Sequence, residues 1–439
     1  MEAIYKATID EEPVVVNYVE KTCELLGYFI SPDVWVPVVT STIKKYQHFG
    51  SILALANLIK GSEECKLRDF LPSICSLMSS ADVCTSRLQN VQDKTLDCVK
   101  AVLNLYSLGV LEPIPVSYDL FKTVISVISV KTSETVEAKG KATLKELSEV
   151  QGLEYDDLFK QHALQLLESF GDSYLHWTKG SVERHMFDVL LVNSGPVVGE
   201  LLDKIIPMIT ANMKSDKDIE VKSKLFSLVS GLIQNSADTI NSLIGVTLDI
   251  FGSHLYSTQV RFGDFAVILV KDMILPNCIW KAGQTAAAFR TLAVSCLWSL
   301  LKHKLLTAEQ LLSVTEELLT QMLTLLEDDR LNTRLVTCRV IMHMLSVVGK
   351  EMDRHRLYNI YPNLLKRLDD SNDNVRIAVS KTLEAYFKSF NEQYDAKSYR
   401  AHFEELVKGL FLHLDDSNTE VQEAVQGIVT FLLSSKRSQ

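Results

Sequence analysis

Four pairs of adjacent carboxylates carry the most chemical potential in this chain: Asp156-Asp157, Asp328-Asp329, Asp369-Asp370 and Asp415-Asp416. Two close acids can divide the roles of general acid and base, or hold a cation between them. Each pair instead sits where the pattern predicts a turn between helices, with no basic or aromatic partner fixed beside it. Short acidic side chains there cap a following helix, so caps are the expected role. The ten histidines are scattered. His162, His176 and His185 come nearest to a group, but their spacings place them on different elements, and none forms H-E-x-x-H or a Cys/His set at zinc spacing.

Other chemistries leave no trace in the residues. Neither G-x-G-x-x-G nor G-x-x-x-x-G-K-S/T occurs, and there is no nucleophile elbow. The eight cysteines (Cys23, Cys65, Cys75, Cys84, Cys98, Cys278, Cys296 and Cys338) include no C-x-x-C pair and several fall on apolar stripes, as small buried hydrophobes do in a reducing compartment. The formal net charge of −10 argues against a nucleic-acid or anionic-membrane binder. No apolar run reaches the length of a membrane span and no signal peptide is evident, so the cytosol is the expected compartment. The reading is a non-enzyme with no cofactor and no metal.

The acidic turns must be held by helices, and Ile360 to Phe387 shows how. A first helix carries Pro362 and buries Leu364, Leu365 and Leu368; Asp369 to Asp373 then interrupts it. Val375, Ala378, Val379, Thr382, Leu383, Tyr386 and Phe387 follow at i, i+3, i+4, i+7, i+8, i+11 and i+12, one apolar stripe of a second helix. Ser380, Lys381, Glu384 and Lys388 are predicted to face outward. The unit recurs, with Leu368, Asp370 and Val375 matched by Leu414, Asp416 and Val421, each 46 positions on, and Leu326 and Arg334 standing 42 before Leu368 and Arg376. Helical hairpins at this period are the signature of HEAT or armadillo units. A single hairpin cannot bury its apolar face alone, so the units must stack. Arg290, Arg334 and Arg376 share one repeat position and Glu327, Asp369 and Asp415 another, which predicts a ladder of turn contacts.

The expected architecture is therefore all-α, a HEAT-type α-solenoid of stacked antiparallel hairpins running through residues 1–439. Its clearest units occupy 281–433, and less regular helical repeats occupy 1–130 and 155–280. Between them, 131–154 is the most polar stretch and reads as an exposed loop or a helix that packs on one side. Gly and Pro are sparse, 18 and 10 residues, which favours long helices. Val124 to Val130 is β-branched but is read as helix from its surroundings. In the helix holding Phe289, Leu292, Ala293, Cys296, Leu297 and Leu300, Trp298 points about 180° from Phe289. It is expected to pack between repeats, with a partner anchor as the other reading.

Asp272 to Leu301 (DMILPNCIWKAGQTAAAFRTLAVSCLWSLL), Thr333 to Ile341 (TRLVTCRVI) and Tyr361 to Arg376 (YPNLLKRLDDSNDNVR) resemble the HEAT-repeat dynein axonemal assembly factors. The likeness reads as their C-terminal half, strongest over residues 260–433, so the chain is similar to a fragment or short form. That resemblance implies a cytoplasmic, non-catalytic scaffold for preassembly of axonemal dynein arms, working with dynein intermediate or heavy chains, other assembly factors and chaperones. Nuclear transport receptors and phosphatase scaffolds share the architecture and are the alternative. For partner contact, the second helices should offer Lys381, Glu384 and Lys388. Asp369, Asp370, Asp415 and Asp416 should form an exposed acidic rim for basic client segments.

Overall fold

The computed structural model describes residues 12–46, 49–106, 114–213, 218–243, 265–390 and 400–435, with the single residues 4, 7 and 263. Most of the connection expected over 108–116 lies outside these residues, as do 244–262 of the expected segments 240–255 and 262–275. Among the described residues there is no strand. The chain divides into two compact units, 1–201 and 202–439.

Among the described residues of the first unit the helices of eight residues or more are α1 (Pro13–Phe29), α2 (Pro32–Tyr46), α3 (Phe49–Gly61), α4 (Leu71–Met78), α5 (Gln89–Leu103), α6 (Ser117–Val130), α7 (Glu134–Val150), α8 (Tyr155–Ser169) and α9 (Val182–Asn193). They form two layers. One is a row of second helices in which α1 packs on α3, α3 on α5 and α5 on α7. The other carries α2, α4 and α6 in contact along their own row. Residues 51–59 of α3, flanked on three sides, are all buried. The β-branched run ending α6 is helical and wholly buried from Val124 to Ser129, because packing overrides a weak local propensity.

The polar stretch 131–154 turns out to be a regular second helix rather than a loop. Ser133 caps α7 by accepting from the Val136 amide, and Val136, Thr143, Leu144, Leu147 and Val150 are buried against α5, α6 and α8. Gly140 permits the approach to α6, since a Cβ there would meet the Ile128 side chain at 2.6 Å. Lys139 reaches back to α5, 2.6 Å from Asp93 and 2.7 Å from Asp97. Of the two expected states, loop or one-sided helix, the helix is found, and the charges that left the loop open belong to its solvated face.

The second unit repeats the plan with α10 (Leu202–Asn212), α11 (Ile219–Leu243), α12 (Gln284–Lys302), α13 (Ala308–Leu325), α14 (Leu331–Val348), α15 (Arg354–Leu368), α16 (Asp373–Lys388), α17 (Arg400–Phe411) and α18 (Thr419–Ser435). Residues 265–278 are also helical, with a π-helical middle at Leu269–Ile274. The second helices α11, α12, α14, α16 and α18 contact one another in order, and the first helices α13, α15 and α17 form the other layer. Hydroxyls stitch the row: Thr291 and Thr333 meet at 2.8 Å, and Thr382 donates to the Cys338 carbonyl at 3.0 Å. The stripe read from Val375 to Phe387 is the buried face, with Val375, Val379, Leu383 and Tyr386 fully enclosed. Ser380 departs from its predicted outward position: it is buried, and its hydroxyl donates to the Arg376 carbonyl at 2.9 Å. Truncation of Leu383 to alanine should cost about 2–5 kcal/mol, read as a lowered urea midpoint at constant slope; an unchanged midpoint would contradict its burial.

Candidate functional site

The turns of the second unit hold its most ordered polar array. Arg290, early in α12, donates from Nε to Asp328 at 2.5 Å and from Nη1 to the Lys281 carbonyl at 2.8 Å. Arg334, in the first turn of α14, forks onto Asp370 at 2.7 and 3.0 Å while its Nη1 donates to the Asp328 carbonyl at 2.9 Å. Arg376 in α16 forks onto Asp416 at 3.0 and 3.0 Å and reaches the Asp370 carbonyl at 3.0 Å. Each guanidinium therefore spans from the turn of its own unit, or for Arg290 the loop before it, to the turn of the next. Gln422 occupies the fourth equivalent position; its amide keeps the bond to its own turn, the Asp416 carbonyl at 2.6 Å.

The predicted ladder exists, but its carboxylates are one residue later than expected. Asp328, Asp370 and Asp416 are the rungs because each folds inward, its Oδ1 accepting the amide two residues on: Arg330 at 2.9 Å, Asn372 at 3.1 Å and Asn418 at 2.8 Å. An aspartate is the right length for both bonds. A signal for this was present in sequence. The rung position is Asp in all three units, whereas the position before it is Glu327, Asp369 and Asp415. Burial drives Asp370 and Asp416 upward, but their arginine partners and amide donors outweigh it and hold both carboxyls below the ordinary range.

This corrects half of the acidic rim. Asp370 and Asp416 are committed to rungs, with side chains 2% and 7% exposed, so they offer nothing to a client. Asp369 points out with its side chain 81% exposed, 3.8 Å from His413, and Asp415 is exposed too. Glu327 is drawn to Lys366 at 2.7 Å and to Arg367. On the second-helix face Lys381, Glu384 and Lys388 are exposed as predicted. Lys381 pairs with Glu420 at 3.0 Å and Lys388 with Glu384 at 2.5 Å. Pairs this exposed contribute little to stability. These three residues border an open groove between α14 and α16, floored by Leu345 and Phe387.

Trp298 is half-buried, its ring edge-on to His343 of the next second helix at 6.0 Å, which is packing between repeats. The exposed tryptophan is Trp280, 58% accessible in the loop before α12 and 6.0 Å from the Arg290 guanidinium. Sequence periodicity cannot find it, because it belongs to no helix.

His162, His176 and His185 lie on α8, on the short 3-10 turn Ser173–His176 and on α9. His162 makes a buried 2.7 Å hydrogen bond to Ser117 at the start of α6, beside Phe121 and Phe159. A hydroxyl beside an imidazole can be a nucleophile and base. Here both are enclosed and join two helices. Burial pushes His162 down from 6.5 to about 4, so the fold favours its neutral form. Stability of the first unit should thus be whole above pH 6.5 and fall as pH drops towards 4. In His162→Gln, urea midpoints between those limits should lose part of that slope; an unchanged slope would assign the effect to other groups. The buried thiols are inert for the same reason: burial raises Cys23 to about 11 and Cys278, Cys296 and Cys338 to about 12.

No helix among the described residues is long and apolar enough to cross a membrane. The family model described as Dynein axonemal assembly factor 5, HEAT-repeat domain, matches residues 1–131. Proteins named dynein axonemal assembly factor 5 align with the chain at 35% identity over 96% of its length in Xenopus laevis and at 33% over 97% in Homo sapiens. The Mus musculus protein aligns at 32% over 97%, and 48% of each relative is covered. Among solved structures, an engineered protein covers 98% of the chain and 98% of itself at 12% identity and a TM-score of 0.41. Kap121p bound to Pho4p covers 99% of the chain and 46% of itself at 13% and 0.36. The likeness that reads strongest over 260–433 thus extends through the first unit as well. The chain is an all-α HEAT-repeat protein that resembles dynein axonemal assembly factor 5 over nearly its whole length, and it spans about half the length of those relatives.

Proposed function

We propose that the chain acts as a non-catalytic scaffold in the cytoplasmic preassembly of axonemal dynein arms, contacting dynein intermediate or heavy chains and other assembly factors. The observation that carries this reading is the identity of about a third to proteins named for dynein assembly, sustained over almost all of the chain. The physical design is in keeping with it. Stacked hairpins spend their polar interior on rungs and caps, leaving surface rather than a reaction centre, and such arrays suit the holding of extended or partly folded chains. Affinity purification from ciliating cells is the test. Co-recovery of dynein chains supports the reading, whereas recovery of a transport GTPase or phosphatase subunits without dynein would replace it with the alternative scaffold role.

Within this reading, Asp369 and Asp415 on the turn edge and Lys381, Glu384 and Lys388 beside the groove are the client-contacting residues. Steering by the exposed acids weakens with salt, as the screening length falls from about 10 Å at 0.1 M to about 3 Å at 1 M. Asp369→Asn/Asp415→Asn should weaken client binding several-fold at low salt and flatten its salt dependence, with the melting temperature unchanged. Binding equal to the parent at low salt would make these carboxylates plain solvated turn residues.

A further inference from the structure

The groove between α14 and α16 owes its existence to the residues at one repeated position. Where α12 meets α14, Trp298 and His343 stand eight and nine residues after Arg290 and Arg334, and their rings pack edge-on across the seam. Where α14 meets α16, the residues eight and nine after Arg334 and Arg376 are Met342 and Ala385. The two helices stay in close contact beside them. Ser389 donates to the Leu345 carbonyl at 3.2 Å, and a Cβ on Gly349 would lie 2.2 Å from the Ser389 hydroxyl oxygen. The space of about 900 Å³ is therefore left by side chains, a thioether and a methyl group standing where the neighbouring seam has two aromatic rings.

The rim of this space sets Lys350, Lys381 and Lys388 against Glu351 and Glu384, an excess of positive charge on a chain whose formal net charge is −10. Lys388 is held by Glu384 and Lys381 by Glu420, while Lys350 has no ion-pair partner among the described residues. We propose that the groove receives a partner segment carrying an aromatic side chain flanked by carboxylates. The ring takes the place that Trp298 fills one seam earlier, against the Met342 thioether and the Ala385 methyl, and a carboxylate pairs with Lys350. An aromatic ring so placed buries a large apolar face and gains a sulfur contact, and the charge pair selects the segment that brings it. The inference rests on the reading of Lys381, Glu384 and Lys388 as client-contacting residues and gives that contact its chemistry.

The probe is a short synthetic helical peptide with one tryptophan among glutamates, labelled for fluorescence anisotropy and titrated with the full chain. It should bind saturably, and peptides with alanine for the tryptophan or lysines for the glutamates should bind about tenfold more weakly. Met342→Trp/Ala385→His transplants the pair of the neighbouring seam and should abolish binding, with a melting temperature equal to the parent's or higher because the fold already holds that pair. Lys350→Glu, on an exposed side chain, should weaken the glutamate peptide several-fold without changing the melting temperature. No binding to the parent, full binding to the folded transplant, or a lysine peptide that binds as tightly as the glutamate one would each overturn the proposal. Dynein co-recovery from ciliating cells is read separately. Its presence without peptide binding overturns this inference and leaves the scaffold role standing, and its absence beside groove-dependent peptide binding does the reverse.

Discussion

Arg290→Met is expected to lower the unfolding free energy of the second unit by about 3–5 kcal/mol, the range for removing one partner of a buried ion pair. The Arg290 and Asp328 side chains are 3% and 1% exposed, so the substitution strands a carboxylate with no access to water and frees the Lys281 carbonyl that Arg290 satisfied. Adding Asp328→Asn should recover much of the loss. The amide is neutral, and its oxygen can still accept the Arg330 amide that closes the turn. Urea denaturation of the single and double variants measures this, and a single variant within about 1 kcal/mol of the parent would show that the rung contributes nothing net. Acid provides an independent check on the next two rungs. Asp370 and Asp416 titrate below their unfolded value, so their contribution is complete above about pH 4 and is lost as pH falls through the lowered folded values.

Gly61→Ala should destabilise the first unit by about 3 kcal/mol, the upper end of the cost of overpacking. A Cβ there would lie 1.8 Å from the Glu24 carbonyl oxygen, and one on Gly27 would lie 2.1 Å from the Leu58 carbonyl oxygen. Both obstacles are backbone and cannot rotate away, so α1 and α3 would have to separate. The Ser62 hydroxyl, 3.0 Å from the Gly27 carbonyl and 2.8 Å from the Leu58 carbonyl, would then lose its bridge. Gly231→Ala in α11 is the control. Nothing lies within 4 Å of its Cβ, so it should be neutral or stabilising by up to about 1 kcal/mol through helix propensity. Equal melting temperatures for Gly61→Ala and the parent would refute the close approach.

Periodicity reads a helix face well because it reports which residues share a side. Hence the stripe from Val375 to Phe387 and the inter-repeat place of Trp298 were legible, whereas the helical state of Val124 to Val130 came from its helical surroundings and not from its own pattern. It reads poorly what a neighbouring helix does to the other side. Ser380 looked outward on its own helix, yet it is enclosed in the row of second helices, and the charge on the solvated face of α7 left a loop and a one-sided helix equally open, of which the helix is found. The acidic edge failed for a related reason. Adjacent aspartates are alike in sequence, and only the inward fold of the turn makes Asp370 structural while Asp369 stays in water.

The arginine rungs carry one further implication, for how such arrays change length. Arg290 and Arg334 both donate from Nε to the aspartate of the next turn, and Arg334 and Arg376 each stand six residues after their own turn aspartates, Asp328 and Asp370. Excision of 329–370 would join Asp328 to Ser371 and leave Arg376 six residues after Asp328, still facing Asp416, with Arg290 still facing Asp328. The turn chemistry is thus an interchangeable joint. Loss of that whole period keeps the register of the remaining arginine–aspartate rungs, while an indel of another size inside a turn shifts an arginine away from its own turn. For the rungs, loss of a whole period is accordingly a gentler change than a single deletion between Asp328 and Arg334.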